Sequence, residues 1–241
     1  MILRAGQRVL HVPGMGVRVS SRAVSAGGEG LAYLVFNGTT ANVNCGSDAS
    51  LDDLHNAALT VEAWVRADTT DSWRVFASKG LWSFKGWHVW VSGLAVGARV
   101  WASTATYSVS TASMTLSQWA HVAMTYDNGG DRKHRLYVDG VLRSTSGAAS
   151  GTIVSDAAQS MTIGKSNETS SFNGAIGWMR LSNSIRYSGS FTPAARDAPP
   201  AVDGNTVEQW NLDEGVGLTA AAQVSSPTND GTITAATWST A

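Results

Sequence analysis

The chain has 241 residues, of which 43% are hydrophobic and 15% are charged, and its formal net charge is −1. A chain of this length can bury a core, and its charge excludes the concentrated basic surface of a typical nucleic-acid-binding protein. The single cysteine, Cys45, excludes an intrachain disulfide, and no apolar run approaches the ~20 residues that span a bilayer. Abundant Ala, Ser, Thr, Gly and Val favour short strands and turns.

Residues 1–30 are predicted to form an extended arm ahead of the core, because short alternating runs are broken by Pro13 and by several glycines. Four arginines give the arm its basic charge: Arg4, Arg8, Arg18 and Arg22. From Asp197 onward the chain carries six acids and no Lys or Arg, so the arm and the tail are either solvated surface or complementary partners, within a chain or between subunits. The start has no apolar h-region or cleavage site, which predicts synthesis in the cytoplasm without a secretory signal.

From Ala32 onward, short apolar strands alternate with turns. The predicted strands are AYLVFNG, LTVEAWVRA, GWHVWVSG, WAHVAMTYD, HRLYVDGVLR, SMTIGK and FNGAIGWMRLSN. In LTVEAWVRA, Val61, Ala63 and Val65 share one face and are predicted to meet the core. Many short strands at regular spacing predict an all-β, two-sheet antiparallel jelly-roll sandwich.

Turn chemistry marks the clearest hairpin in HRLYVDGVLR. Asp139-Gly140 suits the two positive φ angles of a type I′ turn, so the flanking runs are predicted to pair. LDDLHNAAL, residues 51–59, is weakly helical and is predicted to form a short turn or a single helical turn.

The stretch VEQWNLDEGVG, residues 207–217, reads like the opening strand of a β domain, although few residues follow it. We expect the tail that begins here to fold back and complete the sheets already built, with the C-terminal strand beside the strand around Leu34 and Trp210 in the core. The alternative is a truncated second repeat, which would leave apolar faces uncovered. The predicted organisation is an arm over residues 1–30 and a jelly-roll domain over residues 31–241, with residues 207–241 as returning strands.

The ordered series AYLVFNG, LTVEAWVRAD, VFASKG, WAHVAMTYD, HRLYVDGVL, MTIGKS and FNGAIGWMRLSNSIRY resembles laminin G-like (LamG-like) domains of the concanavalin A-like lectin/glucanase superfamily. The resemblance runs from about Ala32 to Thr192 and implies the jelly-roll sandwich. It also implies that His121, in a W-x-H-V-A pattern, supports the fold.

The resemblance raises the question of calcium, which many such domains bind at the rim through carboxylate and carbonyl oxygens. Several positions that are commonly acidic in the family are neutral here, among them Asn37 and the pair Gly177-Trp178. No other cofactor is expected. The remaining candidate ligands are Asp213, Asn229 and Asp230.

Carbohydrate binding is the family's most familiar activity, and Trp82 and Trp87 are the predicted stacking rings because they lie near loops or strand ends. Five of the ten tryptophans lie in predicted strands and are expected to pack in the core or on the sheets: Trp64, Trp90, Trp101, Trp119 and Trp210. Family glycosidases place two carboxylates on alternate positions of one strand, as in E-x-D-x-x-E. This chain has no such run, so we expect no enzymatic activity.

Two functions stay open at this point. The first is a non-enzymatic structural or adhesion module of a bacteriophage virion, a capsid decoration or tail-associated protein. Its arm would bind other subunits in an oligomer or lattice, and its jelly roll would face outward toward cell-surface glycans. The second is a free-standing carbohydrate-binding module of a bacterial surface or secreted system. Neither function involves nucleic acid or membrane insertion.

Overall fold

The computed structural model describes residues 31–82, 84–103, 106–112 (backbone course), 114–167, 171–224 and 229–240. These residues form two eight-stranded sheets. The first sheet contains β1 (Ala32–Asn37), β3 (Ala58–Ala67), β8 (Trp119–Asp127), β9 (His134–Val138), β10 (Val141–Thr145), β12 (Asn173–Ser182), β13 (Thr206–Trp210) and β16 (Thr237–Thr240). The second contains β2 (Asn42–Asn44), β4 (Arg74–Leu81), β5 (Lys85–Ser92), β6 (Ala95–Trp101), β7 (Thr106–Ala112), β11 (Met161–Ile163), β14 (Thr219–Ala220) and β15 (Gly231–Thr234).

Neighbouring strands in both sheets pair antiparallel. The first runs β10-β9-β8-β3-β12-β1-β16, with β13 also paired to β12, and the second runs β14-β15-β2-β11-β4-β5-β6-β7. Two single turns of 3₁₀ helix, Ala49–Leu51 and Leu54–Asn56, connect β2 to β3. The predicted jelly-roll sandwich is thereby confirmed, and LDDLHNAAL forms short helical turns as expected.

The core lies between the inner faces of the sheets, where alternate residues of each strand meet. Val61, Ala63 and Val65 of β3 are buried in it as predicted. The predicted Asp-Gly hairpin joins β9 to β10, with φ values of 51° at Asp139 and 73° at Gly140. Both angles are positive, as a type I′ turn requires.

The returning strands contribute to both sheets, since β13 and β16 join the first and β14 and β15 join the second. Trp210 is fully buried in the core as predicted. The strand beside Leu34 is β16, through the pair Leu34↔Trp238, whereas β13 pairs with residues 179–182 of β12. The prediction that the C-terminal strand lies beside Leu34 is confirmed by β16, whereas the strand formed by VEQWNLDEGVG itself, β13, lies beside β12. β1 already pairs with residues 173–176 of β12, so β13 takes the rest of that strand.

In the part of the chain that the structure describes, no helix has the length and apolar character needed to cross a membrane.

Candidate functional site

Alternation in β5 places aromatic side chains on the outer face of the second sheet. Trp87, Val89 and Val91 join the core. The side chains between them, His88 and Trp90, therefore point to the opposite face. This face is the starting point of the candidate site.

Trp90 lies flat across the neighbouring strand because its partner there is a glycine. Trp90 pairs with Gly97 of β6, and a Cβ added at Gly97 would come within 2.4 Å of the Trp90 indole. Any larger residue at this position would push the ring off the sheet. Gly97 is therefore what allows an indole to cover β6.

Two further tryptophans join Trp90 from outside the regular strands. Trp73 precedes β4 with a φ of 58°, and Trp82 follows it. The ring centroids are 5.4 Å apart for Trp73 and Trp82, 5.4 Å for Trp73 and Trp90, and 5.3 Å for Trp82 and Trp90. These separations are typical of favourable aromatic packing. Trp73 is 49% exposed, whereas Trp90 is only 3% exposed and forms the base of the group.

Arg99 of β6 links this group to a fourth ring, Trp101. Its guanidinium carbon lies 3.8 Å from the centroid of the Trp82 ring and 4.7 Å from that of Trp101, within the range of cation–π attraction. Its Nη2 also donates to the Trp82 carbonyl oxygen at 2.7 Å. We name this set, which consists of Trp73, Trp82, Trp90, Arg99 and Trp101, the tryptophan patch.

His88 lies beneath the patch, fully buried, with its ring centroid 5.3 Å from that of Trp82. Burial, together with the charge of Arg99, lowers the pKa of His88 to about 3. The imidazole is therefore neutral at physiological pH, and the cation of the patch is Arg99.

The structure separates the two predicted stacking tryptophans. Trp82 lies in the tryptophan patch and is partly exposed. Trp87 is 0% exposed and belongs to the core, so its prediction as a stacking ring is wrong. Both faces of GWHVWVSG are apolar, and alternation therefore did not reveal which face meets the core. Trp73, Arg99 and Trp101 were not predicted, because they lie outside GWHVWVSG and only the pairing of β4, β5 and β6 brings them to Trp90.

A cluster of polar side chains lies on the outer face of the first sheet. Glu62 accepts from Arg180 Nε at 2.7 Å and from the Tyr187 hydroxyl at 2.8 Å. His121 Nε2 lies 3.2 Å from Glu62 Oε2. Burial alone would raise the pKa of Glu62, but the His121 contact, the Arg180 charge and the Tyr187 hydrogen bond outweigh burial and lower it. Glu62 is thus an ionised carboxylate sealed inside the protein.

A covering segment, residues 183–200, buries this cluster. Trp64 and Trp178 donate their indole N–H groups to the carbonyl oxygens of Ala194 and Ala195 at 2.9 and 3.0 Å. His121 is fully buried beneath the segment. The contacts of the cluster are those of a packing network, which agrees with the structural role expected for His121.

The three candidate calcium ligands lie on two different clefts. Asp213 is exposed and lines a cleft of about 390 Å³. Asn229 and Asp230 line another of about 350 Å³, together with Asp48. The amide nitrogen of Asn229 is engaged inside the protein, where Nδ2 donates to Glu208 Oε2 at 3.0 Å. The structure therefore brings two of the three predicted ligands together, and calcium binding stays a prediction.

The four predicted arm residues, Arg4, Arg8, Arg18 and Arg22, lie outside the described residues. Their contacts, and the arm itself, stay predictions.

A sequence model of the concanavalin A-like lectin/glucanases superfamily matches residues 37–188, more than half of the chain. None of the curated proteins matches the chain.

Among solved structures, a candidate carbohydrate-binding protein from Bacteroides ovatus is 17% identical, with a TM-score of 0.63. The alignment covers 88% of this chain and 60% of that protein, so this chain spans less than two thirds of its length. The CBM40 domain of the Ruminococcus gnavus IT-sialidase, bound to α2,3 sialyllactose, is 14% identical with a TM-score of 0.49 over 63% of this chain and 92% of the domain. The heptameric SAP-like pentraxin of Limulus polyphemus is 13% identical, with a TM-score of 0.48 over 65% of this chain and 78% of the pentraxin. At such identities these similarities concern the fold alone.

Proposed function

Since the chain belongs to the concanavalin A-like lectin/glucanases superfamily, we propose that it is a carbohydrate-binding module whose ligand lies on the tryptophan patch. The observation that carries this proposal is the group of partly exposed indoles around one guanidinium on an open sheet face. An indole offers a flat, electron-rich face on which the C–H bonds of a pyranose ring can lie. Support also comes from the Bacteroides ovatus protein of the same fold, which is described as a candidate carbohydrate-binding protein.

The residues of the tryptophan patch have different proposed roles in binding a sugar. Trp73 is the most exposed of its rings and provides the stacking surface, with Trp82 forming an edge at 72° to it. Arg99 is held by the Trp82 carbonyl and places a positive charge between the rings, which favours an electron-rich or anionic sugar.

A glycan array followed by calorimetry tests this proposal. We expect micromolar binding to a defined sugar, and Trp73→Ala and Trp82→Ala each to weaken it at least tenfold, about 1.4 kcal/mol. The matched control is Trp119→Ala, which removes a partly exposed tryptophan from the outer face of the first sheet and should leave binding unchanged. Equal affinity in all three variants would place the ligand elsewhere.

The proposed activity is binding without hydrolysis. Retaining glycosidases need two accessible carboxylates about 5–5.5 Å apart. The two glutamates of the first sheet are unsuited to this role, because Glu62 and Glu208 are both buried in hydrogen-bonded networks. Cleavage of a bound glycan, abolished by replacing one carboxylate, would contradict this part of the proposal.

The proposed setting is a surface exposed to glycans. One such setting is a phage virion, in which the basic residues 1–30 would bind neighbouring subunits, and another is a bacterial surface or secreted system. Support for the virion setting is confined to the charge contrast between the arm and the acidic residues beyond Asp197. Carbohydrate binding by the patch is compatible with both settings.

A further inference from the structure

A compact group of possible metal ligands lies where the 3₁₀ turns meet the loop before β11. Asp53, His55 and Asp156 each offer one ligand atom, and these atoms lie within 4.8 Å of one another. None of these residues belongs to the tryptophan patch or to the predicted calcium ligands. The group joins parts of the chain about 100 residues apart, which only folding brings together.

Backbone hydrogen bonds hold the two carboxylates face to face. The Asp53 N–H donates to Asp156 Oδ1 at 2.8 Å, and the Asp156 N–H donates to Asp53 Oδ1 at 2.9 Å. Asp53 keeps this position with a left-handed backbone at φ 55°. Each carboxylate is therefore oriented by a reciprocal contact rather than by solvent.

The tautomer of His55 follows from its other contact. His55 Nε2 lies 3.0 Å from the carbonyl oxygen of Val154, and a carbonyl only accepts, so Nε2 carries the proton. In the neutral ring, Nδ1 then presents a lone pair. Metal-binding histidines characteristically donate their second N–H to a carbonyl or carboxylate in this way.

Two buried acceptor atoms face each other without a donor between them. His55 Nδ1 and Asp156 Oδ2 are 3.4 Å apart, both side chains are 0% exposed, and neither atom has a hydrogen-bond partner among the described residues. A proton or a metal ion between the two atoms would pair both lone pairs, and an unpaired buried polar group is costly. Two ligands of one tetrahedral Zn²⁺, each about 2.0–2.1 Å from the metal, would lie roughly 3.3 Å apart, close to the observed separation.

The local charges also favour a cation. Asp52, Asp53 and Asp156 contribute three carboxylates, and Lys79 is the nearby cation. Lys79 Nζ lies 2.7 Å from Asp52 Oδ1 but 3.9 Å from Asp156 Oδ1, and it also donates to a backbone carbonyl. Lys79 therefore neutralises chiefly Asp52, which leaves Asp53 and Asp156 for a divalent ion.

We propose that Asp53, His55 and Asp156 form a binding site for a divalent transition metal ion of the zinc type. One imidazole and two carboxylates suit such an ion better than calcium, which prefers an all-oxygen set of six to eight ligands. Water would complete the coordination. The bound ion ties the 3₁₀ turns to the loop at residues 154–156 and stabilises this end of the sandwich.

Titration of the EDTA-dialysed full chain with Zn²⁺ and Co²⁺ tests the site. We expect calorimetry to show one Zn²⁺ per chain, Co²⁺ to develop the visible absorption of a four-coordinate N/O site, and Zn²⁺ to raise the melting temperature. His55→Gln and Asp53→Asn should each weaken Zn²⁺ binding at least tenfold. Asp53→Asn keeps an oxygen for the Asp156 N–H, so this variant remains informative if His55→Gln fails to fold.

His134→Gln is the matched control, because His134 is a second fully buried histidine with Ser146 and Tyr126 beside it. It should bind Zn²⁺ like the unchanged protein. Failure of the unchanged protein to bind Zn²⁺ would overturn the proposal and show that a shared proton separates the two atoms. Unchanged affinity in Asp53→Asn and His55→Gln would also overturn it, by placing the metal elsewhere.

Discussion

At the scale of single residues, charged side chains lie on the outer faces of both sheets, but they differ in how far they are buried. Glu62 and Arg180 are paired under a cover, with 1% and 7% of their side chains exposed. Arg99 lies between partly exposed rings instead. A buried ion pair adds little net stability, but removal of one partner leaves an uncompensated charge. The two sites should therefore respond differently to substitution.

Glu62→Gln tests the covered pair. The amide oxygen still accepts a hydrogen bond, but Arg180 loses its counter-charge inside the protein, so we expect unfolding to become easier by about 3–5 kcal/mol. Urea denaturation measures this change. Asp131→Asn is the control, because it breaks the more exposed pair with Arg135 and should cost less than about 1 kcal/mol. Equal effects would mean that the cover does not exclude water from Glu62.

At the scale of elements, patterns of adjacent residues predicted turns and strand faces, whereas contacts between distant segments were harder to predict from the sequence. The Asp139-Gly140 turn depends on two adjacent residues, and the core face of β3 depends on simple alternation. The place of β16 beside Leu34 was predicted, but the pairing of β13 with β12 depends on the rest of the first sheet, which no local pattern encodes. The group of Asp53, His55 and Asp156 was missed because its third member is distant in sequence.

Trp210→Ala tests how firmly β13 closes the first sheet. Trp210 is 0% exposed, and its Nε1 donates to the Asn229 carbonyl oxygen at 2.9 Å, so the substitution removes packing and leaves an acceptor unpaired. We expect a loss of about 3–5 kcal/mol in the free energy of unfolding. Leu218→Ala, at a position 68% exposed, should change it by less than about 0.5 kcal/mol. A small effect of Trp210→Ala would show that β13 is dispensable for stability.

At the scale of the whole molecule, the two sheets present different outer faces. Residues 183–200 cover part of the first, whereas the second presents the partly exposed rings of the tryptophan patch. His88 of the second sheet and His134 of the first are both buried, and these two histidines link global stability to pH.

Stability should fall in mild acid because burial lowers the pKa of His134 to about 4 and that of His88 to about 3. The unfolded chain binds protons near the ordinary histidine pKa of about 6.5, whereas the folded chain does not. Their contribution is therefore complete above about pH 6.5 and declines as the pH falls toward 4, by up to about 1.4 kcal/mol per pH unit for each histidine.

Urea unfolding at pH 7 and pH 4.5 measures this dependence. His134→Gln should flatten the slope, because it removes one of the groups that take up a proton on unfolding. A slope identical to that of the unchanged protein would show that His134 is protonated equally in both states.

The pairing of β1 with β16 has a consequence for biosynthesis. Leu34 meets Trp238, about 200 residues later, and non-local contacts of this kind slow folding. During translation, β1 emerges from the ribosome long before β16, so one edge of β1 has no partner until residues up to 240 have left the exit tunnel. A nascent chain stalled before that point exposes a strand edge that can pair with other chains, and binding of chaperones should be strongest over this interval.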